Sequence, residues 1–536
     1  MRSATRRGSA DLPVYDLHGR DGFPDARRVG FKAYNLMRMA AMGLPVPQGF
    51  VLATDWCAGT RAGGSTRHLL AVLRDRIRTL EEATELGFGS ARRPLLVSVR
   101  SGAPVSMPGM MDTVLNVGLN DVSLAGLLQL TGDHRLVWDS YRRLIQAFAE
   151  VVAGAPAGPF EAALNGALRR SGVDSAAGLD FRALRDLART YLGLHRDHTG
   201  HEFPQDPLEQ LAAAARAVFA SWQSAKAVEY RRLNALSGRL GTAVTVERMV
   251  FGNAGGNSGA GVGFTRDPST GDNHLYVDWL AQAQGEDIVS GRRHVTSEAG
   301  IPEWLMRKLA SVGESLEKAF VDAQEFEFTV ENGELFMLQT RTAKRTALAA
   351  LRIAVDQVDS GIITPEEALR RLSGIDVDGI TSSRVESATP PLGKAIAAGT
   401  GVALGPAAFS VEAAQAFAKR GTPAILVRND VATSDIAGIA IVGGVLTATG
   451  GRTSHAAVVA RQMGKVCLVG WSGLRVDESA GRATVGTTTI MEGDPLCIDG
   501  NTGSVYAGCP TVTRERPGRL IERVKEWQGD AHTGGR

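Results

Sequence analysis

Thr449-Gly450-Gly451-Arg452-Thr453-Ser454-His455-Ala456-Ala457-Val458-Val459-Ala460-Arg461 is the run from which the rest of this 536-residue chain is best read. Its glycine pair allows a sharp turn with open backbone. Thr453 or Ser454 can cap a helix start. A small, apolar, helix-competent segment follows. His455 is therefore expected at or just inside a helix N-terminus, where unpaired N–H groups and the positive end of the helix dipole suit an anion. A phosphoryl group carried on a histidine nitrogen is the anion this arrangement fits.

Around this run, from residue 393 to about 510, short apolar stretches alternate with helical patterns. Ala424-Ile425-Leu426-Val427, Gly438-Ile439-Ala440-Ile441-Val442 and Val466-Cys467-Leu468-Val469 read as β-rich. We expect a compact α/β domain there, followed by a charged tail over 511–536 with a short helix. Upstream, residues 346–392 read as a helical linker and hinge. A first helix spans Thr346 to Ser360, and Thr364-Pro365-Glu366-Glu367 starts a second. The polar stretch Thr381 to Pro391 follows, with flexion expected near Pro390-Pro391.

Residues 26–345 read as one large α/β region with a helical insert at about 139–236. Leu95 to Val99 and Ala243 to Val246 are strand-like. Glu327 to Val330 and Leu335 to Leu338 flank Glu331-Asn332-Gly333-Glu334, a hairpin signal through its Asn-Gly. Residues 1–25 are expected to be a poorly ordered lead-in.

Composition narrows the function classes. A hydrophobic fraction of 44% suffices for several cores, and the length predicts two to four domains. The net charge of +2 gives no reason to expect a nucleic-acid or membrane partner. Cys57, Cys467, Cys497 and Cys509 are scattered without a C-x-x-C, so neither zinc nor a disulfide framework is supported. The first ten residues hold three arginines but no apolar core of a signal peptide, and no 18-residue apolar span occurs. A cytoplasmic protein is the expectation.

Phosphoryl transfer from ATP needs cations and backbone donors around the phosphates, and oxygen ligands for Mg²⁺. Four places offer them. Lys32 lies in Gly30-Phe31-Lys32-Ala33-Tyr34-Asn35-Leu36. Arg100 ends a strand that enters Ser101-Gly102-Ala103-Pro104-Val105-Ser106-Met107-Pro108-Gly109-Met110-Met111, a loop able to turn N–H groups onto phosphate oxygens. A glycine-rich run, Gly252 to Gly261, precedes Thr265-Arg266-Asp267-Pro268 but carries no Walker or dinucleotide fingerprint. Glu325-Phe326-Glu327 and Gln339-Thr340-Arg341 lie on the two arms of the hairpin, where Glu327 and Gln339 supply oxygens suited to Mg²⁺.

The histidine run and all four places, in this order, resemble the pyruvate, phosphate dikinase family. So do Thr199-Gly200-His201-Glu202-Phe203-Pro204-Gln205-Asp206-Pro207, Tyr230-Arg231-Arg232-Leu233-Asn234, Met249-Val250-Phe251-Gly252-Asn253 and Ala283-Gln284-Gly285-Glu286-Asp287. The likeness runs from about residue 26 to 510. It implies an ATP-grasp-like nucleotide-binding region followed by a swivelling α/β phosphohistidine domain. It implies phosphate contacts for Lys32, Arg100 and Arg341, backbone contacts from Gly109, Met110 and Met111, and Mg²⁺ ligation by Glu327 and Gln339. Thr453 becomes a candidate regulatory phosphorylation site, and a homodimer is compatible. The Thr-Ser-His sequence favours the phosphate-dependent branch over the water dikinases.

Two departures touch glycines. The family's Gly-Gly-Lys-Gly-Ala-Asn-Leu has Phe31 and Ala33 in place of two glycines here, and its Ser-Pro-Gly-Ala reads Leu404-Gly405-Pro406-Ala407. The resemblance also implies a C-terminal pyruvate or phosphoenolpyruvate barrel that these residues do not match. The expectation is a half-reaction in which ATP, phosphate and His455 give phospho-His455, AMP and pyrophosphate, with pyruvate on a separate barrel chain. The alternative is a phosphohistidine relay or regulatory module with another small-molecule or protein acceptor. Lost catalysis is a third reading, which the retention of Lys32, Arg100, Glu327, Gln339, Arg341 and His455 opposes.

Overall fold

The computed structural model describes residues 12–19, 22–61, 66–104, 111–233, 236–238, 240–289, 300–386, 389–431, 436–452 and 454–533. These form a mixed α/β, multidomain architecture. They group into two units, residues 1–258 with 330–339, and residues 259–329 with 340–536.

The first unit is built on a five-stranded antiparallel sheet. In spatial order its strands are Val14–Asp16, Gly49–Leu52, Ala243–Arg248, Val97–Gly102 and Thr113–Val117. The expected lead-in thus contributes the edge strand, where Tyr15 pairs with Val51. The strand is only three residues long, and its pairing comes from a neighbour distant in sequence. Helices His134–Val151, Gly158–Ser171, Phe181–Thr199, Pro207–Ser221 and Ala225–Leu233 occupy the predicted helical insert. Their starts are written locally. Asp133, Asp180 and Asp206 each accept a backbone N–H of the first turn, and Pro207 follows its cap. Val97, Val99 and Val117 of the sheet share one apolar core with Tyr141, Leu144, Tyr191 and Val218. The hairpin tip is a two-residue turn at Asn332 (φ 51°) and Gly333 (φ 84°), as its Asn-Gly requires. Glu331 beside it accepts from Arg248 at 2.8 Å and from the Phe251 N–H at 2.9 Å.

In the second unit, the strand Gly259–Phe264 lies between Tyr276–Ala281 and Gln324–Glu331. Two glycines of this strand have a packing reason. A Cβ on Gly261 would sit 2.2 Å from the Phe328 ring, and one on Gly263 would sit 2.3 Å from Phe326. Arg266, also singled out beside that run, is a structural tie. It bonds Glu317 at 2.8 Å and Asp356 at 3.0 Å, joining helices Glu303–Phe320 and Ala347–Asp359.

Helices Ala347–Asp359 and Pro365–Leu372 start at Thr346 and Thr364 as predicted. They are less a linker than half of a small core. Leu351, Val355, Ala368 and Leu372 pack with Ile521, Val524 and Trp527 of helix Gly518–Thr533. Strand Ser382–Glu386 pairs antiparallel with Thr511–Glu515. Both the expected polar linker and the expected tail therefore hold paired strands. Charged side chains on a two-stranded ribbon mask its β character, and the apolar face of the last helix is covered only through tertiary packing.

Residues 393–508 carry an eight-stranded sheet. Its parallel centre is Val402–Ala408, Ile425–Arg428, Gly444–Thr447 and Val466–Val469. Gly438–Val442 is not β-rich as expected: Ile436–Ile441 is a helix, and the strand begins at Gly444. A short buried apolar run has no periodicity to separate the two states. Buried Ile439 and Ala457 share a core with Leu426 and Val445, so this helix and the histidine helix cover one face of the sheet.

Candidate active site

In the first unit, Gly30 interrupts helix Ala26–Ala41 with φ 78° and ψ 151°. A Cβ there would lie 2.2 Å from the Gly102 carbonyl oxygen, so only glycine permits this approach. The next residue, Phe31, donates its N–H to the Ala103 carbonyl at 3.2 Å. The backbone carrying Lys32 is thereby fixed to the strand end that carries Arg100. The two glycine-to-larger departures are accommodated because the strained position is still glycine. Phe31 points outward at 50% exposure, and Ala33 is small and buried.

Arg100 and Glu247 form an ion pair at 3.6 Å. Strand register places Arg100 opposite Thr245 and Ser98 opposite Glu247, so these side chains share a face. Arg100 Nη1, both Glu247 carboxylate oxygens and Thr245 Oγ1 are buried without hydrogen bonds. Gly109 and Met110 lie outside the described residues. Met111 is half-buried with its side chain against the apolar core.

In the second unit, His455 is the first residue of helix His455–Gln462. Of the two expected caps, Ser454 accepts the Ala457 N–H, at 3.4 Å, and Thr453 lies outside the described residues. Gly450 adopts φ 102° and packs closely on Ser454 and Gly470, shaping the turn before the helix. Arg461 stands in the last turn, where a cation complements the helix dipole.

Cations and carboxylates meet beside this helix. Arg341 pairs with buried Glu325 at 2.5 Å. Burial pulls its guanidinium down, and the two carboxylates Glu325 and Glu327 more than offset this. Burial also lowers the Lys344 ammonium, with Arg341 as the next cause. Burial lowers Arg461, against the pull of Glu325. Glu327 and Gln339 are each half-buried.

Arg452 reaches the strand Tyr276–Ala281. Its guanidinium pairs with Asp267 at 3.3 Å and lies 3.5 Å from the centre of the Tyr276 ring. The Tyr276 hydroxyl donates to Asp278 at 2.9 Å. Burial holds the Asp278 carboxyl above the usual range, with Arg452 the chief opposing charge. Glu247, Asp278, Arg452 and Arg461 were not singled out from sequence. Alternation along the strands would have flagged Glu247 beside Arg100. Nothing local marks the partners of Arg452, which are far away in sequence.

Residues 65–299 match the pyruvate phosphate dikinase AMP/ATP-binding domain, and residues 421–503 match the mobile domain of PEP-utilising enzymes. Through these two domain matches the chain resembles the pyruvate, phosphate dikinases. It is 41% identical over 510 residues to pyruvate, phosphate dikinase of Clostridium symbiosum, covering 93% of this chain and 58% of that protein. The chloroplastic enzyme of Flaveria pringlei is 40% identical over 509 residues, covering 93% of this chain and 53% of its own length. That of Entamoeba histolytica is 40% identical over 507 residues, covering 92% and 57%. The chain thus spans a little over half the length of these relatives. Among the described residues, no helix is long and apolar enough to cross a membrane.

Proposed function

We propose that the chain uses ATP and phosphate to phosphorylate His455, releasing AMP and pyrophosphate. A His455 ring nitrogen forms the P–N bond. The nucleotide leaves as AMP, and the remaining phosphoryl group joins phosphate as pyrophosphate. The phosphoryl group then passes to pyruvate on a separate barrel chain, giving phosphoenolpyruvate. The observation that carries this reading is His455 opening a capped helix in the unit that also holds Arg341, Lys344 and Arg461. A helix N-terminus and fixed cations both favour an incoming polyanion.

In this reading Lys32, Arg100 and Arg341 meet phosphate oxygens, with backbone N–H groups of Gly109, Met110 and Met111. Glu327 and Gln339 are the proposed Mg²⁺ ligands. Their chemistry fits, being one carboxylate and one amide oxygen. Among the described residues no group of three His, Cys, Asp or Glu gathers as a metal cage. Mg²⁺ is commonly held by one or two protein oxygens, with substrate phosphates and water completing its shell. When bound, the ion neutralises charge on the phosphates.

The test uses ATP labelled at the β- or γ-phosphorus, with and without phosphate. Acid-labile label on the protein, AMP as nucleotide product and dependence on phosphate are expected. ADP as the product would overturn the reading. Pyruvate should discharge the phosphoenzyme only when a barrel protein is added; phosphoenolpyruvate made by this chain alone would refute the separate acceptor.

A further inference from the structure

We propose that Arg452 is a positioning residue for phosphoryl transfer: it holds the histidine loop on the Asp267 turn and the strand Tyr276–Ala281, and so sets how often His455 faces the nucleotide-binding side. This deepens, and rests on, the reading of His455 as the phosphoryl acceptor.

The guanidinium is held from both sides. Within the histidine domain its Nε donates to the Ala397 carbonyl, while Arg461 Nη2 donates to the Arg452 carbonyl at 3.0 Å. Loop and histidine helix therefore move together. On the opposite side, Asp267 is already oriented. Its Oδ1 accepts the Ser269 and Thr270 N–H groups at 2.7 and 3.1 Å, leaving Oδ2 for Arg452. Tyr276 offers its ring face, and Asp278 anchors the Tyr276 hydroxyl.

Arginine suits these demands together, since it is planar, permanently charged and able to stack while donating along its edge. The Arg452 side chain is only 12% exposed, so water screens the pair weakly. Asp278 is 1% exposed, and its Oδ2 has no hydrogen-bond partner. Arg452 and Arg461 are the charges that compensate it, and Tyr276 is its hydroxyl donor. Withdrawing Arg452 leaves a buried carboxylate under-compensated. The contact should therefore count for more than a surface ion pair.

The experiment follows the rate of His455 labelling in the full chain at saturating ATP and phosphate. Arg452→Met should slow labelling by about tenfold to a hundredfold, with ATP affinity and final stoichiometry unchanged. Arg452→Lys should recover part of the rate. Asp267→Ala should also slow labelling, and the double variant should be no slower than Arg452→Met alone. Wild-type rates in Arg452→Met, or effects that multiply in the double variant, would overturn the proposal. A second measurement stands apart from chemistry. Spin labels at Ser311→Cys and Gln415→Cys, with exposed Cys509 replaced by serine, report the separation of the two parts of this unit. Arg452→Met should shift that distribution toward longer or broader distances. An unchanged distribution would refute the positioning role even in a protein that takes no label, whereas an unlabelled wild type with a shifted distribution would count against the acceptor reading alone.

Discussion

Arg100 in the first unit and Arg452 in the second are provided for in opposite ways. Around Arg100 and Glu247 the polar atoms are buried and unfinished: one guanidinium nitrogen, two carboxylate oxygens and the Thr245 hydroxyl have no hydrogen-bond partner. Around Arg452 the guanidinium has an ion pair, an aromatic face and a backbone carbonyl. Buried polar groups left unpaired cost on the order of 1–3 kcal/mol each, so a fold keeps them where a ligand completes the set. On the reading proposed above, the first arrangement is that of a site that a ligand's polar atoms complete. The second is that of a contact already made between parts of one unit. Binding and docking can thus be written in the same residue types, and the partners of the two guanidinium groups tell them apart.

The largest expected effect breaks the comparison outright. His455→Ala should abolish acid-labile labelling while ATP affinity stays within about twofold, as expected if the nucleotide contacts lie on other residues. Label that survives in this variant would place the nucleophile elsewhere. Arg100→Ala is next. If Arg100 meets charge that develops on the phosphates, the labelling rate should drop by roughly 10²–10³-fold. A fall in ATP affinity with an unchanged saturated rate would make Arg100 a ground-state contact instead.

A third prediction uses a finished carboxylate within the first unit. Asp139 is buried between Arg142 at 2.7 Å and Arg143 at 2.9 Å. Burial pushes its carboxyl up, but these arginines and Arg135 outweigh it and bring it down to about 2. A depressed carboxyl stabilises the fold above its unfolded value and loses that contribution as pH falls from about 4 to about 2. Asp139→Asn should destabilise the first unit by about 3 kcal/mol, because it removes the carboxylate charge that buried Arg142 faces. It should also flatten the pH dependence of the unfolding free energy in that window. Urea titrations between pH 2 and 6 measure both, and an unchanged slope would show that the arginines hold the native state without the carboxylate charge.

How much of this was legible in the sequence follows from the range of each signal. Caps at Asp133, Asp206, Thr346 and Ser454 are local, as is the Asn332-Gly333 turn, and all can be read from a few residues. The strands Val97–Gly102 and Ala243–Arg248 announce themselves by their apolar runs. What was hidden depends on pairing. Val14–Asp16 is a strand because Gly49–Leu52 is its neighbour, and the charged Thr511–Glu515 is one because Ser382–Glu386 is. The helix Ile436–Ile441 lacked the length that separates helix from strand. For the candidate site, residue types and the resemblance put forward Lys32, Arg100, Arg341 and His455. Glu247, Asp278 and the partners of Arg452 required the fold, since each matters through a side chain that sequence distance conceals.

The smallest effect sharpens the comparison most. Glu247 is 2% exposed and pairs with Arg100 at 3.6 Å, too long for a hydrogen bond. Two roles are compatible with that position. As an anchor, the carboxylate restrains Arg100 and aims it; as a nearby negative charge, it opposes an incoming polyphosphate. Glu247→Gln keeps the shape and removes the charge. Burial in a weakly screening environment makes an anchoring interaction substantial, so the expected outcome is a labelling rate lowered about tenfold, equivalent to roughly 1.4 kcal/mol. ATP affinity should change by less than about threefold. The loss should vanish when Arg100 is already alanine, because an anchor without its cargo has nothing to aim. A faster Glu247→Gln protein, or an equal loss in the Arg100→Ala background, would assign the carboxylate to repulsion or to the fold, and would remove the first unit's claim to be a site whose unfinished atoms await a ligand.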